Sequence, residues 1–356
     1  MPQVTGRHST VEARSADAGD GVAARLAVRL AARRAGANTP GGWHPTDESR
    51  RHGIHLRRFA GPAAYTETLG HLRIAHLTDQ HVGRVTPYAV QRAAVAMTNA
   101  EKPDLIFLTG DFVCHSQLYL DQLTELVRSF EAPVFGVLGN HDHWSGADEV
   151  RLALQRGGVE VLRNRHTTIT VHGEKLQVVG LDDAYTGHAR RDEAVKGLRR
   201  DVATIGLSHI AEEADGLWRS GVPFVLSGHT HGGQVTVARL HELALGMIGG
   251  HKYVHGLYGS REAHAHRNDP HGDAQGAVYV GAGIGAAVMP LRLGDRGRRE
   301  VTIFELGCQP GDFDEHHAAQ APLPGRKPSP KQLARRAAAV VQKRMDRERR
   351  ARFGRE

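Results

Sequence analysis

From residue 71 onward, short aliphatic runs rich in Val, Ile, Leu and Phe alternate with longer amphipathic stretches. The short runs, each closed by a polar cluster, predict strands over Leu72–Leu77, Asp104–Leu108, Val134–Leu138, Leu176–Gly180, Ala203–Leu207, Phe224–Leu226, Gln234–Val237, Ala277–Val280 and Val301–Leu306. Helical spacing predicts helices over Tyr88–Ala100, Gln117–Phe130, Ala147–Gln155 and Ile210–Arg219. Alternation of this kind implies an α/β sandwich with parallel or mixed sheets. No internal repeat is evident.

The ends read differently. Residues 1–70 form an N-terminal arm, partly disordered or helical, whose first sixty positions lack strand-like alternation and whose clearest pattern is a basic amphipathic stretch, Val22–Ala35. After the body (71–307), residues 308–330 make a Pro-rich linker and 331–356 a basic helix or tail. In that tail Leu333, Ala337, Val340, Val341 and Met345 recur at helical spacing opposite a dense Arg face. The formal charge of +7 therefore divides unevenly: +4 in residues 1–70, +9 in 321–356 and −6 between them. Basicity belongs to the appendages, each read first as a solvated arm or a helix packed on the body, with peripheral contact with an anionic membrane next, ahead of nucleic acid or a protein partner. No apolar run approaches the roughly 18 residues of a membrane span. Only Cys114 and Cys308 are present, too few for a disulfide framework and compatible with a reducing cytosol, so the expected location is cytoplasmic, with membrane-peripheral contact through the tails.

Residues 71–320 also hold 20 of the 24 histidines, and several follow predicted strands directly. The strand ends read Thr78-Asp79-Gln80-His81, Thr109-Gly110-Asp111, Gly139-Asn140-His141-Asp142, Ser208-His209 and Ser227-Gly228-His229-Thr230-His231. Ligands of open α/β sheets bind beyond the carboxyl ends of the strands, so these groups can converge. A pair of divalent cations needs a bridging carboxylate, imidazole or oxygen ligands on either side, and open positions for water and phosphate. Asp79, His81, Asp111, Asn140, His209, His229 and His231 supply such a set.

These five blocks, in this order, resemble the signature of the calcineurin-like metallophosphoesterase superfamily. The resemblance implies a four-layer αββα sandwich with mixed sheets for residues 71–307. It implies one metal on Asp79, His81, Asp111 and His231, and a second on Asp111, Asn140, His209 and His229. It further implies a phosphoester hydrolase in which a metal-bridging hydroxide attacks phosphorus while His141 assists the leaving group. Asp142 either orients a histidine of the site or simply starts a helix. The metals are expected to be manganese, with iron or zinc as alternatives. Gly256-Leu-Tyr258, Val278-Tyr-Val280 with the glycines after it, and Pro290-Leu-Arg-Leu293 are similar to a bacterial branch of phosphodiesterases and UDP-2,3-diacylglucosamine pyrophosphatase-like enzymes. That branch makes a nucleotide-sugar lipid one substrate to consider.

Arg84, His251 and His255 are the candidate substrate contacts, each weighed against an ordinary surface or loop role. Beside the phosphodiesterase or pyrophosphatase reading stand a nuclease acting on DNA or RNA and a metal-stabilised scaffold without activity. The acidic body weakens the first, since a nuclease cleft carries its own positive track. The complete ligand set weakens the second.

Overall fold

A computed structural model describes residues 12–14, 51–233, 249–259, 276–286, 292, 297–308 and 320–353. Six strands, β2 (Ile54–Ala60), β3 (Leu72–Leu77), β4 (Leu105–Thr109), β5 (Val134–Val137), β6 (Val159–Val161) and β13 (Arg299–Leu306), form one sheet in the order β2-β13-β3-β4-β5-β6. Seven more, β1 (Glu12–Arg14), β7 (Arg165–Val171), β8 (Glu174–Gly180), β9 (Ala203–Leu207), β10 (Phe224–Ser227), β11 (Gly256–Gly259) and β12 (Ala277–Val280), form a second in the order β1-β7-β8-β9-β10-β12-β11. Both are mixed. Strands β3 to β6 run parallel with β13 antiparallel to β3, and β8, β9, β10 and β12 run parallel with β7 and β11 antiparallel at the flanks.

The parallel pairs from β3 to β6 are joined by helices, as such pairs require. These are α1 (Tyr88–Ala100), α2 (Leu120–Arg128) and α3 (Asn140–Arg156); α4 (Arg191–Ala194) and α5 (Ala214–Arg219) belong to the second half, and α6 (Pro330–Phe353) ends the described chain. Side chains of a strand alternate between faces, and here both faces are apolar. Ile74, Leu105, Phe107 and Phe135 meet Ile205, Leu207, Phe224 and Tyr279 between the sheets. Ala75, Ile106 and Leu108 turn the other way onto Ala93, Leu126 and Ala153 of the helices. Val225, Val278 and Val280 face Ala214, Leu217 and Trp218 on the opposite outer surface. The layers are helix, sheet, sheet, helix, with the aromatic core in the middle.

The predicted strands recur within two residues, apart from Gln234–Val237, which lies outside the described residues, as does Val22–Ala35. Four strands went unpredicted in the body, and each is short or mixes polar with apolar residues. Strand β2, with the sequence IHLRRFA, is the instructive one. It lies parallel to β13 from Ile54↔Arg299 to Ala60↔Glu305, and Tyr65 just beyond it is buried with its hydroxyl donating to Thr204 O at 2.7 Å. The expected boundary at residue 70 is thus corrected: residues from Ile54 onward belong to the sandwich, and β2 escaped notice because an edge strand needs an apolar residue only where it faces the core.

The C-terminal expectation also changes. Residues 320–326 run along the body, with Gln320 N, Leu323 N and Arg326 N donating to Leu257 O, Lys252 O and Gly250 O. Helix α6 follows and packs on α3. Its inward stripe is Arg336, Val340, Lys343 and Arg347, while Leu333, Val341 and Met345 are 40–58% exposed. The sequence pattern placed the apolar residues on the packed side; the structure turns the cations there because aromatic rings receive them. The Arg336 guanidinium lies 3.7 Å from the Tyr185 ring centroid and Lys343 Nζ 4.1 Å from that of Trp144.

One buried polar network holds the β2 edge. Glu300 accepts from Ala282 N and Tyr279 Oη at 3.0 Å each and lies 3.0 Å from both Arg57 Nε and His255 Nε2. Against the cost of burial, His255 and Arg57 hold the Glu300 carboxyl down at about 2, from 4.5. A depressed carboxyl contributes stability that is complete above pH 4.5 and disappears as pH falls through about 2. At about 1.4 kcal/mol per pH unit the contribution is about 3 kcal/mol. Denaturant melts at pH 6 and pH 2.5 are therefore expected to show a Glu300→Gln penalty that shrinks markedly at the lower pH; an equal penalty at both would refute it.

Candidate metal centre

Parallel strands of both sheets end on one rim, and the five polar blocks sit there. Asp79 and His81 follow β3, Asp111 follows β4, Asn140 follows β5, His209 follows β9, and His229 and His231 follow β10. The backbone has to turn sharply to aim these side chains. Asp79, His81, Asp111, His229 and His231 all adopt positive φ, between 44° and 77°. Asp and His tolerate this region better than most residues, yet each costs on the order of 1 kcal/mol or more, and such strain gathers where geometry is functional. Gly139 shows how tight the rim is: a Cβ there would stand 2.3 Å from Asp111 Oδ1 and 2.5 Å from Asp111 N.

Each carboxylate divides its two oxygens between scaffold and centre. Asp79 Oδ2 accepts from Thr78 Oγ1 at 2.8 Å and from the His229 amide at 3.1 Å. Its Oδ1 is buried without a partner, 3.4 Å from His231 Nε2 and 3.8 Å from His81 Nε2. Asp111 Oδ1 accepts from the His141 amide at 2.9 Å, leaving Oδ2 at 3.4, 3.6 and 3.9 Å from Nε2 of His209, His81 and His141. The His209 ring donates from Nδ1 to Thr109 O at 2.7 Å, which turns Nε2 toward the centre, 3.2 Å from His229 Nδ1. His81 Nε2 and His231 Nε2 face each other at 3.0 Å.

Two groups result. Asp79, His81, Asp111 and His231 have ligand atoms within 4.8 Å of one another, and so do Asp111, His209 and His229. Asp111 belongs to both. Asn140 is 2% exposed at the start of α3, and its Oδ1 is a second buried oxygen without a hydrogen-bond partner. Buried polar atoms are nearly always satisfied, so unpartnered oxygens on Asp79 and Asn140, in the company of facing imidazoles, fit divalent cations.

The electrostatics agree. Burial holds His229 and His231 well below the ordinary imidazole value and His81 at about 3, so these rings carry free lone pairs. Burial pushes Asp79 up to about 7, while Asp111, despite burial, is held well below the usual range by His209 and His141. His209 is driven up to about 10 by the Asp111 carboxylate, overcoming desolvation. Two close buried carboxylates thus share one compensating cation among the side chains, and bound metal would supply the rest of the positive charge.

His141 stands at the mouth of this centre, its ring 4.7 Å from that of His81, 4.3 Å from His115 and 4.9 Å from Trp144. Asp142 does not reach it. Its Oδ1 accepts from Phe112 N and Val113 N, and its Oδ2 from Gly139 N at 2.9 Å, so it caps α3 and clamps that helix start to the Asp111 loop. The expectation of a catalytic Asp142 is corrected to a positioning one, the helix-start alternative. Arg84 is exposed on the loop after His81. His251 lies beside the centre, its ring 5.2 Å from that of His229. His255 does not: it is 3% exposed and engaged with Glu300.

Three residues escaped the sequence reading. Tyr185, 5.2 Å from the His229 ring, is set by Asp183, whose carboxylate accepts from Tyr185 N and Thr186 N. The signal was present, since Leu181-Asp182-Asp183 follows β8 as the other polar blocks follow their strands. Trp144 carried no such mark, and Arg292 lies in the Pro290-Leu-Arg-Leu293 run without having been read as a site residue. Arg292 donates to Ala282 O and Gly285 O, bracing the loop whose Gly285 amide donates to Asp79 O.

The comparisons with known proteins point the same way. Over 241 residues the chain is 29% identical to an uncharacterized metallophosphoesterase, YkuE, of Bacillus subtilis, covering 66% of this chain and 78% of the relative. Over 252 residues it is 29% identical to the phosphodiesterase YaeI of Escherichia coli, covering 68% and 85%. A putative metallophosphoesterase of Caenorhabditis elegans, F40B5.2, is 33% identical over 181 residues, 47% of this chain and 38% of that one. Residues 72–233, from β3 to the second histidine after β10, match the family model of the calcineurin-like phosphoesterases.

Proposed function

We propose that this chain hydrolyses phosphodiesters or pyrophosphates at a centre of two divalent cations, manganese foremost. The observation that carries the reading is Asp111 Oδ2, the one oxygen shared by both ligand groups. Asp79, His81, Asp111 and His231 would hold one cation, and Asp111, Asn140, His209 and His229 the other. When bound, such a pair neutralises phosphate oxygens and lowers the pKa of a coordinated water toward neutrality.

The chain's own residues do the remainder. Asp79 and Asp111 each keep one oxygen on backbone or hydroxyl donors, so the ligand geometry is preorganised. His141, with its ring at the entrance and its pKa lowered by burial, is placed to pass a proton to a departing oxygen. His115 and Trp144 pack around that ring and restrict water. Supporting the diester reading is the likeness to YaeI, a phosphodiesterase by name. The −6 charge of residues 71–320 favours it over a nuclease. Among the described residues no helix is long and apolar enough to cross a membrane, so contact with anionic lipid would be peripheral.

The test is stoichiometric and kinetic. Protein reconstituted with manganese is expected to hold two ions per chain by elemental analysis and to hydrolyse bis(p-nitrophenyl) phosphate, with loss of both on chelation. One ion per chain at full activity would overturn the two-cation reading.

A further inference from the structure

A cavity of about 360 Å³ opens beside the metal centre, within the range of small-molecule sites. Tyr185 and His251 line it, and both rings stand 5.2 Å from that of His229, so cavity and centre share a wall. The C-terminal segment also lines the cavity, bringing Arg326, Lys327 and Arg336. The cavity also meets two carboxylates, but these are already engaged. Glu212 accepts from Lys252 N at 2.8 Å and lies 3.3 Å from His251 Nδ1, while Glu213 lies 3.5 Å from Arg191 Nη1. Arg336, in contrast, stacks on Tyr185, an arrangement that holds the guanidinium in place while leaving its edge for an acceptor. Arg326 is fixed by its own backbone bond to Gly250 O.

We infer that this cavity is a second anion subsite: it takes a further phosphate of a substrate whose scissile phosphate sits at the metal centre, and Arg336 with Arg326 and Lys327 is its recognition element. The C-terminal segment thereby acts in substrate selection, which a solvated tail would not do. The inference rests on the hydrolase reading above and narrows its substrate class to esters bearing more than one phosphate. Apolar groups of Ile210, Pro328 and Leu333 on the same cavity leave room for the organic part next to that phosphate.

The experiment uses the full-length, manganese-loaded enzyme and two inorganic inhibitors of bis(p-nitrophenyl) phosphate hydrolysis, with free manganese held constant. Orthophosphate reports the metal centre, and tripolyphosphate adds two further phosphates as the probe of the cavity. Arg336→Gln is expected to raise the inhibition constant for tripolyphosphate at least about tenfold relative to that for orthophosphate, the worth of one charge-assisted hydrogen bond to phosphate. Arg336→Lys should recover part of the preference. The double variant Arg326→Gln/Lys327→Gln repeats the measurement away from α6. An unchanged ratio of the two constants in both variants overturns the subsite. Absence of hydrolysis by the parent enzyme would instead overturn the hydrolase reading, so the two failures are distinct.

Discussion

Asp111→Asn is expected to reduce bis(p-nitrophenyl) phosphate hydrolysis by more than about 100-fold, beyond the loss caused by removing groups that merely support ligands. The variant keeps the shape of the side chain and, through its amide oxygen, an acceptor for the His141 amide. What it loses is the charge of the oxygen that faces both ligand groups. Two dications close together repel strongly, and a shared anion is what makes their joint occupancy favourable. The metal content should therefore fall below two per chain in the same preparation. Activity within tenfold of the parent, with both ions retained, would remove Asp111 from the role assigned to it. The fold itself should survive, because a buried carboxylate without its cations is a destabilising element rather than a stabilising one.

His141→Ala should divide binding from turnover. Its ring sits outside the two ligand groups, and its contact with Asp111 Oδ1 is made by the backbone amide, which alanine retains. Both metals should stay, and turnover should fall about 10²- to 10⁴-fold, the usual contribution of a positioned acid or base. The loss should also depend on the leaving group. A p-nitrophenolate departs without much help, so the deficit with bis(p-nitrophenyl) phosphate should be smaller than with an alkyl ester. Equal deficits on both substrates would argue against proton donation, and metal loss would place His141 among the ligands.

Much of the molecule was legible along the chain because its strands are buried on both faces. Ile74, Phe107, Phe135 and Tyr279 point into the central layer while Ala75, Ile106, Val134 and Val278 point outward, so the runs are continuously apolar and easily seen. Edge strands lack that redundancy. In β2 the exposed side carries Arg58, which reaches out to Glu101, and so the strand read as part of an arm. Helix α3 began seven residues earlier than its hydrophobic period suggested, because its first turns are made of site residues and Gly146, at φ 113°, kinks the helix before the apolar spacing begins.

The sequence by itself supplied the candidate ligands and their order: Asp79, His81, Asp111, Asn140, His209, His229 and His231, each just past an apolar run. Local chemistry suffices for that, because strand ends are marked by short-range pattern. Only the tertiary structure decided what the ends of the chain do. Where β2 joins the sheet, and which face of α6 turns inward, depend on partners far away in sequence: Arg299–Leu306 in one case, Trp144 and Tyr185 in the other. Hydrophobic periodicity assumes that an inward face is apolar. On α6 the rings of the body offer cations a better surface, so Arg336 and Lys343 turn toward the centre while Val341 and Met345 remain outside.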